Sequence, residues 1–290
     1  MSTPTIDRPL AASVPEGFTP AKPNPIARLW RWIRNHVIAI CAVLALIYLF
    51  LPIAIVVIFS FNKPEGRQNT SWNEFSLDAW TNICRDPSIC SSVGTSLQIA
   101  FFSTLFATLL GTLISFALVR HRFHGRTATN LLIFLPMATP EVVLGASLLA
   151  LFLNLGASLG FVTILIAHIM FCISFVVVTV KARLAGHDPR LEQASMDLYA
   201  DERATFRHVT LPLVMPGIAS AALLAFSLSF DDFIITNFNN GTTVTFPLYV
   251  WGAAQRGIPP QVNVIGSIMF FGALAIVLVA QAVSAARAKK

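Results

Sequence analysis

Six runs of roughly 20 apolar residues, parted by short polar stretches, decide what this chain can fold into. Each run is long enough to cross a bilayer as a helix, which takes about 20 residues. The expected spans are Val37–Phe61, Val93–Val119, Leu131–Leu153, Phe161–Ala182, Leu213–Asn237 and Val262–Ala285, the fifth carrying Asp231 and Asp232 near its end. Composition agrees: 55% of residues are hydrophobic and 12% charged, against about 25% charged in an average soluble domain. The sequence reads as an all-α integral membrane protein. Its net charge of +6 is no sign of nucleic-acid binding, because no basic patch is interleaved with aromatics. Basic residues collect on the cytoplasmic side of membrane proteins instead.

That bias gives an orientation. With the N-terminus inside, 16 of the 20 basic residues fall in cytoplasmic segments, leaving only Lys63, Arg67, Arg85 and Arg256 outside. Both termini and the loop 184–212 are then cytoplasmic. Residues 1–35 form a Pro-, Thr- and Ala-rich tail, expected to be disordered up to about Pro25. Ile26–Arg34 is expected as a short amphipathic helix on the inner surface, with Trp30 and Trp32 as interface anchors. The apolar run that follows exceeds the roughly 7–15 residues of a signal-peptide core, and no small-residue cleavage site follows it. The remainder, 36–290, is expected to be one transmembrane domain. No internal repeat is visible, so an inverted-repeat carrier has no support.

The loop between the fourth and fifth runs is too polar for lipid yet patterned like structure. Asp188-Pro189 is a helix start, an N-cap acceptor followed by proline. Leu191, Ala194, Ser195 and Leu198 then recur at helical spacing and give one weakly apolar face. Asp201 can cap a second short helix through Phe206 and Val209, and Pro212 opens the next apolar run. Capped helices outside the membrane make a docking element for a soluble partner; a featureless connector would not need them.

This loop resembles the EAA loop of ABC-importer permeases in Glu192-Gln193-Ala194, Asp197-Leu198-Tyr199-Ala200, Phe206 and Val209-Thr210-Leu211-Pro212. The likeness extends over about residues 93 to 285. Pro136 to Val142, Phe175 to Arg183, Ser229 to Phe233 and Arg256 to Asn263 look like the second (C-type) permease subunit of spermidine/putrescine importers. The resemblance implies the type I (MetI-like) importer fold in a bacterial inner membrane. It implies a homologous second permease, two cytoplasmic ATPase subunits that bind ATP and magnesium, and an extracytoplasmic substrate-binding protein. No cofactor, metal or covalent chemistry is then expected on this chain, which has no phosphate-binding Gly-x-x-x-x-Gly-Lys-Ser/Thr loop. Carried over residue by residue, the coupling element is Glu192, Ala194, Asp197, Leu198, Tyr199, Ala200, Phe206, Leu211 and Pro212. Glu192, Asp197, Asp201 and Glu202 would offer acceptors to the ATPase. One position departs: Tyr199 stands where the family has glycine. Bulky residues disfavour positive φ, so the bend is expected to be shared by Ala200 and Asp201.

The acids at membrane depth are Glu141, Asp231 and Asp232. An unpaired charge at mid-bilayer costs about 2.5–3.5 kcal/mol on insertion scales, so such residues usually face a cavity or a partner. With Phe230, Phe233 and Trp251 able to supply cation–π contacts, an organic cation such as a polyamine is the expected cargo. Glu141 has a second reading of equal weight, as acceptor for backbone donors freed by Pro140. One of Asp231 and Asp232 is expected to face the pathway and the other to be structural. His168 and Cys172, one turn apart, read as packing or inter-subunit contacts, not a metal site. Cys84 and Cys90 lie in an outside loop; a disulfide and two free thiols both stay open. Gly111, Gly145 and Gly272 are expected to allow close helix packing. The rival functions are an ABC permease for another solute (iron, phosphonate or another small organic molecule) and a stand-alone channel or secondary carrier.

Overall fold

The computed structural model describes residues 25–66, 68–186 and 188–288. The tail before Pro25, the side chains of Trp30 and Trp32, and Lys289 and Lys290 lie outside the described residues. The chain divides into two units, 1–55 and 56–290. The first contains most of α1 (Pro25–Phe59), a single 35-residue helix. The expected surface helix and first span are therefore one element. It is apolar on every side from His36 onward, as suits a membrane span.

In the second unit the chain leaves α1 into a two-stranded ribbon, β1 (Asn62–Lys63) antiparallel to β2 (Glu74–Phe75), with Asn62 opposite Phe75. Two buried asparagines hold this turn. Asn62 Nδ2 donates to Asn69 Oδ1 at 2.7 Å, and Asn69 Nδ2 to the Phe59 carbonyl at 2.7 Å. After α2 (Asp78–Thr81), the second span α3 (Pro87–Arg120) starts six residues earlier than expected. Asp86 caps it, accepting from the Ser88 N–H, and Pro87 fills the first position, where a missing N–H costs nothing.

The expected third span, Leu131–Leu153, is two helices. α4 (Arg126–Ala138) and α5 (Glu141–Asn154) meet at 109°. Thr139 is extended, at φ −83° and ψ 134°, because the ring of Pro140 excludes the helical conformation from the residue before it. α6 (Phe161–Ala185) is the central helix. Its Ala167, Phe171, Val176 and Val180 pack with Ala107 of α3 and with Ala221 and Ala225 of α9 (Leu211–Phe230). A Cβ on Gly111 would lie 2.7 Å from Val176 Cγ1, so glycine there sets the α3–α6 approach, and Gly145 meets Phe238 at 2.8 Å in the same sense. Gly272 differs: a Cβ there would meet nothing within 4 Å.

Before α9 come α7 (Arg190–Asp197), α8 (Glu202–Thr205) and a π-helical turn, Phe206–Thr210. The expected fifth span does not reach Asn237: α9 stops at Phe230, and α10 (Ile234–Asn239) follows a break at 231–233. α11 (Phe246–Arg256) and the last span, α12 (Pro260–Ala288), complete the chain. Among the described residues five helices are long and apolar enough to cross a membrane, and six spans result if the bent α4–α5 pair counts as one.

Candidate functional site

Two polar clusters stand out, one at each end of α9. At its start, α7 closes in a left-handed turn made by Tyr199 itself, at φ 66°, and not by Ala200 and Asp201. The Ala200 N–H bonds the Ser195 carbonyl at 3.2 Å and the Tyr199 N–H that of Met196 at 3.0 Å. This is the paired 6→1 and 5→2 closure that normally recruits glycine. Asp201 is extended and caps α8, its Oδ1 accepting from the Ala204 N–H at 2.7 Å. The expected second short helix is no separate element, because α8, the π turn and α9 run on continuously. Pro212 accounts for the wide turn. It has no N–H to give to the His208 carbonyl, and the Leu211 N–H bonds Phe206, five residues back.

Glu192 does not face outward with the other acids of the loop. Its Oε1 accepts from Arg120 Nη2, at the end of α3, and from Thr210 Oγ1 at 2.6 Å. Arg120 also stacks over Phe116, its Cζ 5.6 Å from the ring centroid, and Phe116 meets Phe206 edge-on at 5.5 Å. Ser195 and Thr205 hydroxyls lie 3.2 Å apart and tie α7 to α8. What the loop presents is Leu198 and Tyr199, 81% and 100% exposed, with Ala194 and Asp197 beside them. Ala200 and Leu211 are half-buried and Pro212 is exposed.

At the other end of α9 the two adjacent aspartates part company. Asp232 turns inward and caps α10, its Oδ2 accepting from the Thr236 N–H and Oγ1, each at 2.8 Å. It also lies 3.3 Å from His168 Nε2, both side chains being nearly fully buried. His168 Nε2 is 2.9 Å from Thr236 Oγ1, its Nδ1 is 2.7 Å from Ser229 Oγ, and Ser103 Oγ donates to Ser229 at 2.8 Å. One arrangement satisfies every atom: Ser103 donates to Ser229, Ser229 to Nδ1, and Nε2–H to Thr236 and Asp232. The cluster joins α3, α6, α9 and α10. His168 is thus a structural hub within this chain, and Cys172, one turn on, packs with its thiol 3.5 Å from the Ala225 carbonyl.

Asp231 is exposed at the break. Beside it Phe230 stacks between Phe226 and Phe246, and Phe233 lies 5.1 Å from the exposed ring of Trp251. Asp231 therefore stands between Phe230 and the Phe233–Trp251 pair in sequence, while Asp232 belongs to the framework. Glu141 stands exposed in the first turn of α5.

The sequence reading missed a polar cavity of about 750 Å³ at the same end, lined by Asp86, Asn237, Asn240, Tyr249, Trp251 and Arg256. Tyr249 OH donates to Asp86 Oδ2 at 3.0 Å. Burial, reinforced by that carboxylate, pushes the Tyr249 phenol up to about 12, while bonds from Ser88 hold Asp86 below the usual carboxylate range. Cys84 and Cys90 form a disulfide, with Cα atoms 5.5 Å apart, that closes the loop carrying Asp86. Only Asp86-Pro87 as a helix start could have hinted at this corner.

Residues 107–288 match the family described as binding-protein-dependent transport system inner membrane component. The chain is 38% identical to the spermidine/putrescine transport system permease protein PotC of Haemophilus influenzae, over 82% of this chain and 92% of that one. It is 37% identical to the putrescine transport system permease protein PotI of Escherichia coli, over 79% and 84%. Among solved structures it resembles a chain of a bacterial ABC transporter that imports the acidic polysaccharide alginate. The TM-score is 0.59 at 16% identity, over 90% of this chain and 97% of that one, which is a likeness of fold.

Proposed function

The chain belongs to the family of binding-protein-dependent transport system inner membrane components, and we propose that it is the permease subunit of an ATP-driven polyamine importer. Its likeness to the spermidine/putrescine and putrescine permeases supports the substrate class. The observation that carries the reading is Asp231: an exposed carboxylate at the end of a spanning helix, next in sequence to Phe230 and two residues from Phe233, whose ring meets Trp251. A carboxylate among aromatic faces suits an alkylammonium, which gains from the charge and from cation–π contacts of roughly 0.5–2 kcal/mol each.

In this reading residues 36–290 form half of a pathway in the bacterial inner membrane, with both termini cytoplasmic, and a homologous permease supplies the other half. A substrate-binding protein delivers the polyamine from outside. Two ATPase subunits seat the α7 tip, hold ATP and magnesium, and move the loop as they close. The exposed Leu198 and Tyr199 are what those subunits would grip. The pathway then opens to one side and the other in turn.

The test is ATP-dependent uptake of labelled spermidine and putrescine into proteoliposomes that hold the chain with its permease, ATPase and binding-protein partners. Asp231→Asn is expected to cut uptake at least tenfold while the complex still assembles. Undiminished uptake in that variant would make Asp231 structural. No polyamine uptake by the wild type would leave the family and overturn the substrate.

A further inference from the structure

We propose that Arg120 is a positioning residue, the strut through which movement of α7 is passed to α3 and α9. The idea rests on the reading that α7 docks on an ATPase and takes it one step further. A docking helix can move a pathway only if it is joined to spanning helices by contacts that do not slip. The backbone from α7 to α9 passes through the Tyr199 turn and a π-helical turn, the Ser195–Thr205 hydroxyl pair ties α7 only to α8 and α9, and neither reaches α3.

Other side chains supply that link. Arg120 ends α3, and its Nη2 donates to Glu192 on α7 and, at 3.4 Å, to Thr210 at the foot of α9. Thr210, fully buried, donates in turn to the same Glu192 oxygen at 2.6 Å. Three elements thus meet at one carboxylate oxygen. The Arg120 side chain is 38% exposed and that of Glu192 16%, so it is the carboxylate that is sheltered, and charge-assisted bonds are about twice as strong as neutral ones. Phe116 under the guanidinium, itself against Phe206, fixes where Arg120 can point. Glu192 thereby has a role inside this chain, distinct from that of an acceptor for the ATPase.

A double-mutant cycle separates the two roles. Substrate imported per ATP hydrolysed is measured in reconstituted complexes of wild type, Arg120→Ala, Glu192→Ala and the double variant. The amount of assembled complex serves as the folding control. Each single variant is expected to lower the ratio at least tenfold, and the double variant no further, because either change removes the same strut. Losses that multiply would mean that Glu192 works separately on the ATPase, and a wild-type ratio in Arg120→Ala would leave no strut at all; either result overturns the proposal. If Arg120→Ala does not assemble, Arg120→Met, which keeps apolar cover over Phe116 but has no side-chain N–H to donate, enters the same cycle. Stimulation of ATP hydrolysis by the binding protein is read in parallel. A wild type that shows stimulation without polyamine uptake defeats the substrate reading alone, and the strut is then judged on stimulation.

Discussion

Replacing His168 by leucine is expected to destabilise the second unit by about 2–4 kcal/mol, and the figure follows from what the imidazole holds. His168 is 2% exposed and contacts Ser229, Thr236 and Asp232. None of the three is orphaned by its loss. Ser229 keeps Ser103, Thr236 keeps Asp232, and Asp232 keeps the Thr236 N–H. The direct loss is therefore two buried hydrogen bonds, at about 0.5–1.5 kcal/mol each. To this is added the weakened compensation of a buried carboxylate. A hydrogen bond donated to a carboxylate is worth about 1.5–3 kcal/mol, which bounds this last contribution. Asp232→Asn should cost less, about 1–2 kcal/mol, because an amide oxygen can still accept from Thr236. Asp232→Ala should match His168→Leu, since it adds loss of the α10 cap, worth about 1 kcal/mol. Equilibrium unfolding by sodium dodecyl sulfate in bicelles reads all three. If both His168→Leu and Asp232→Ala lie within about 0.5 kcal/mol of wild type, the cluster does not hold the α9–α10 break and the reasoning fails.

Two further outcomes follow from the geometry. Tyr199→Gly relieves a left-handed conformation that costs an L-residue roughly 1–2 kcal/mol, part of which is offset by the greater freedom of glycine when unfolded. Amide exchange across 190–205 should slow, while coupled ATP hydrolysis falls if the exposed ring seats in the partner; unchanged hydrolysis would remove Tyr199 from the interface. The Tyr249 phenol, raised to about 12 by burial and by Asp86, keeps its proton where an unfolded tyrosine loses it near 10. Its contribution is thus complete below about pH 10 and is lost as pH rises toward 12. The ultraviolet titration difference between wild type and Tyr249→Phe should have its midpoint near 12, and a midpoint near 10 would contradict the buried contact.

The spanning helices were legible because a run of some twenty apolar residues has few alternatives in water or lipid. Where the reading failed, local sequence competed with a tertiary arrangement. Pro140 was in plain view, but a proline inside an apolar run can also kink a continuous span; a 109° turn needs the surrounding helices to decide it. The end of α9 was hidden because Asp231 and Asp232 look alike in sequence, and only His168, sixty-odd residues away, separates them. The hint available was the single histidine of the fourth run. The loop 184–212 holds the helix its pattern suggests, but Glu192 turns inward because of Arg120, which lies on another element and leaves no mark in the local sequence. Tyr199 inverts the usual rule. The paired carbonyl bonds of the helix end impose the left-handed turn on whatever residue occupies the site, and full exposure lets a tyrosine accept it.

These particulars converge on α9. It is a 20-residue helix, about 30 Å long at 1.5 Å per residue, and a polar cluster grips each end. Thr210 at one end is bonded to Glu192, and Ser229 at the other is bonded to His168 and Ser103. The long helix α3 takes part in both clusters, through Arg120 below and Ser103 above. Two helices fastened together at two separated points cannot slide past one another without breaking one of these clusters. Irregular backbone lies just outside each fastening: the π turn at 206–210 and the break at 231–233. The fastenings thus leave the loop before α9 and the turn that displays Asp231 as the places where bending breaks neither cluster.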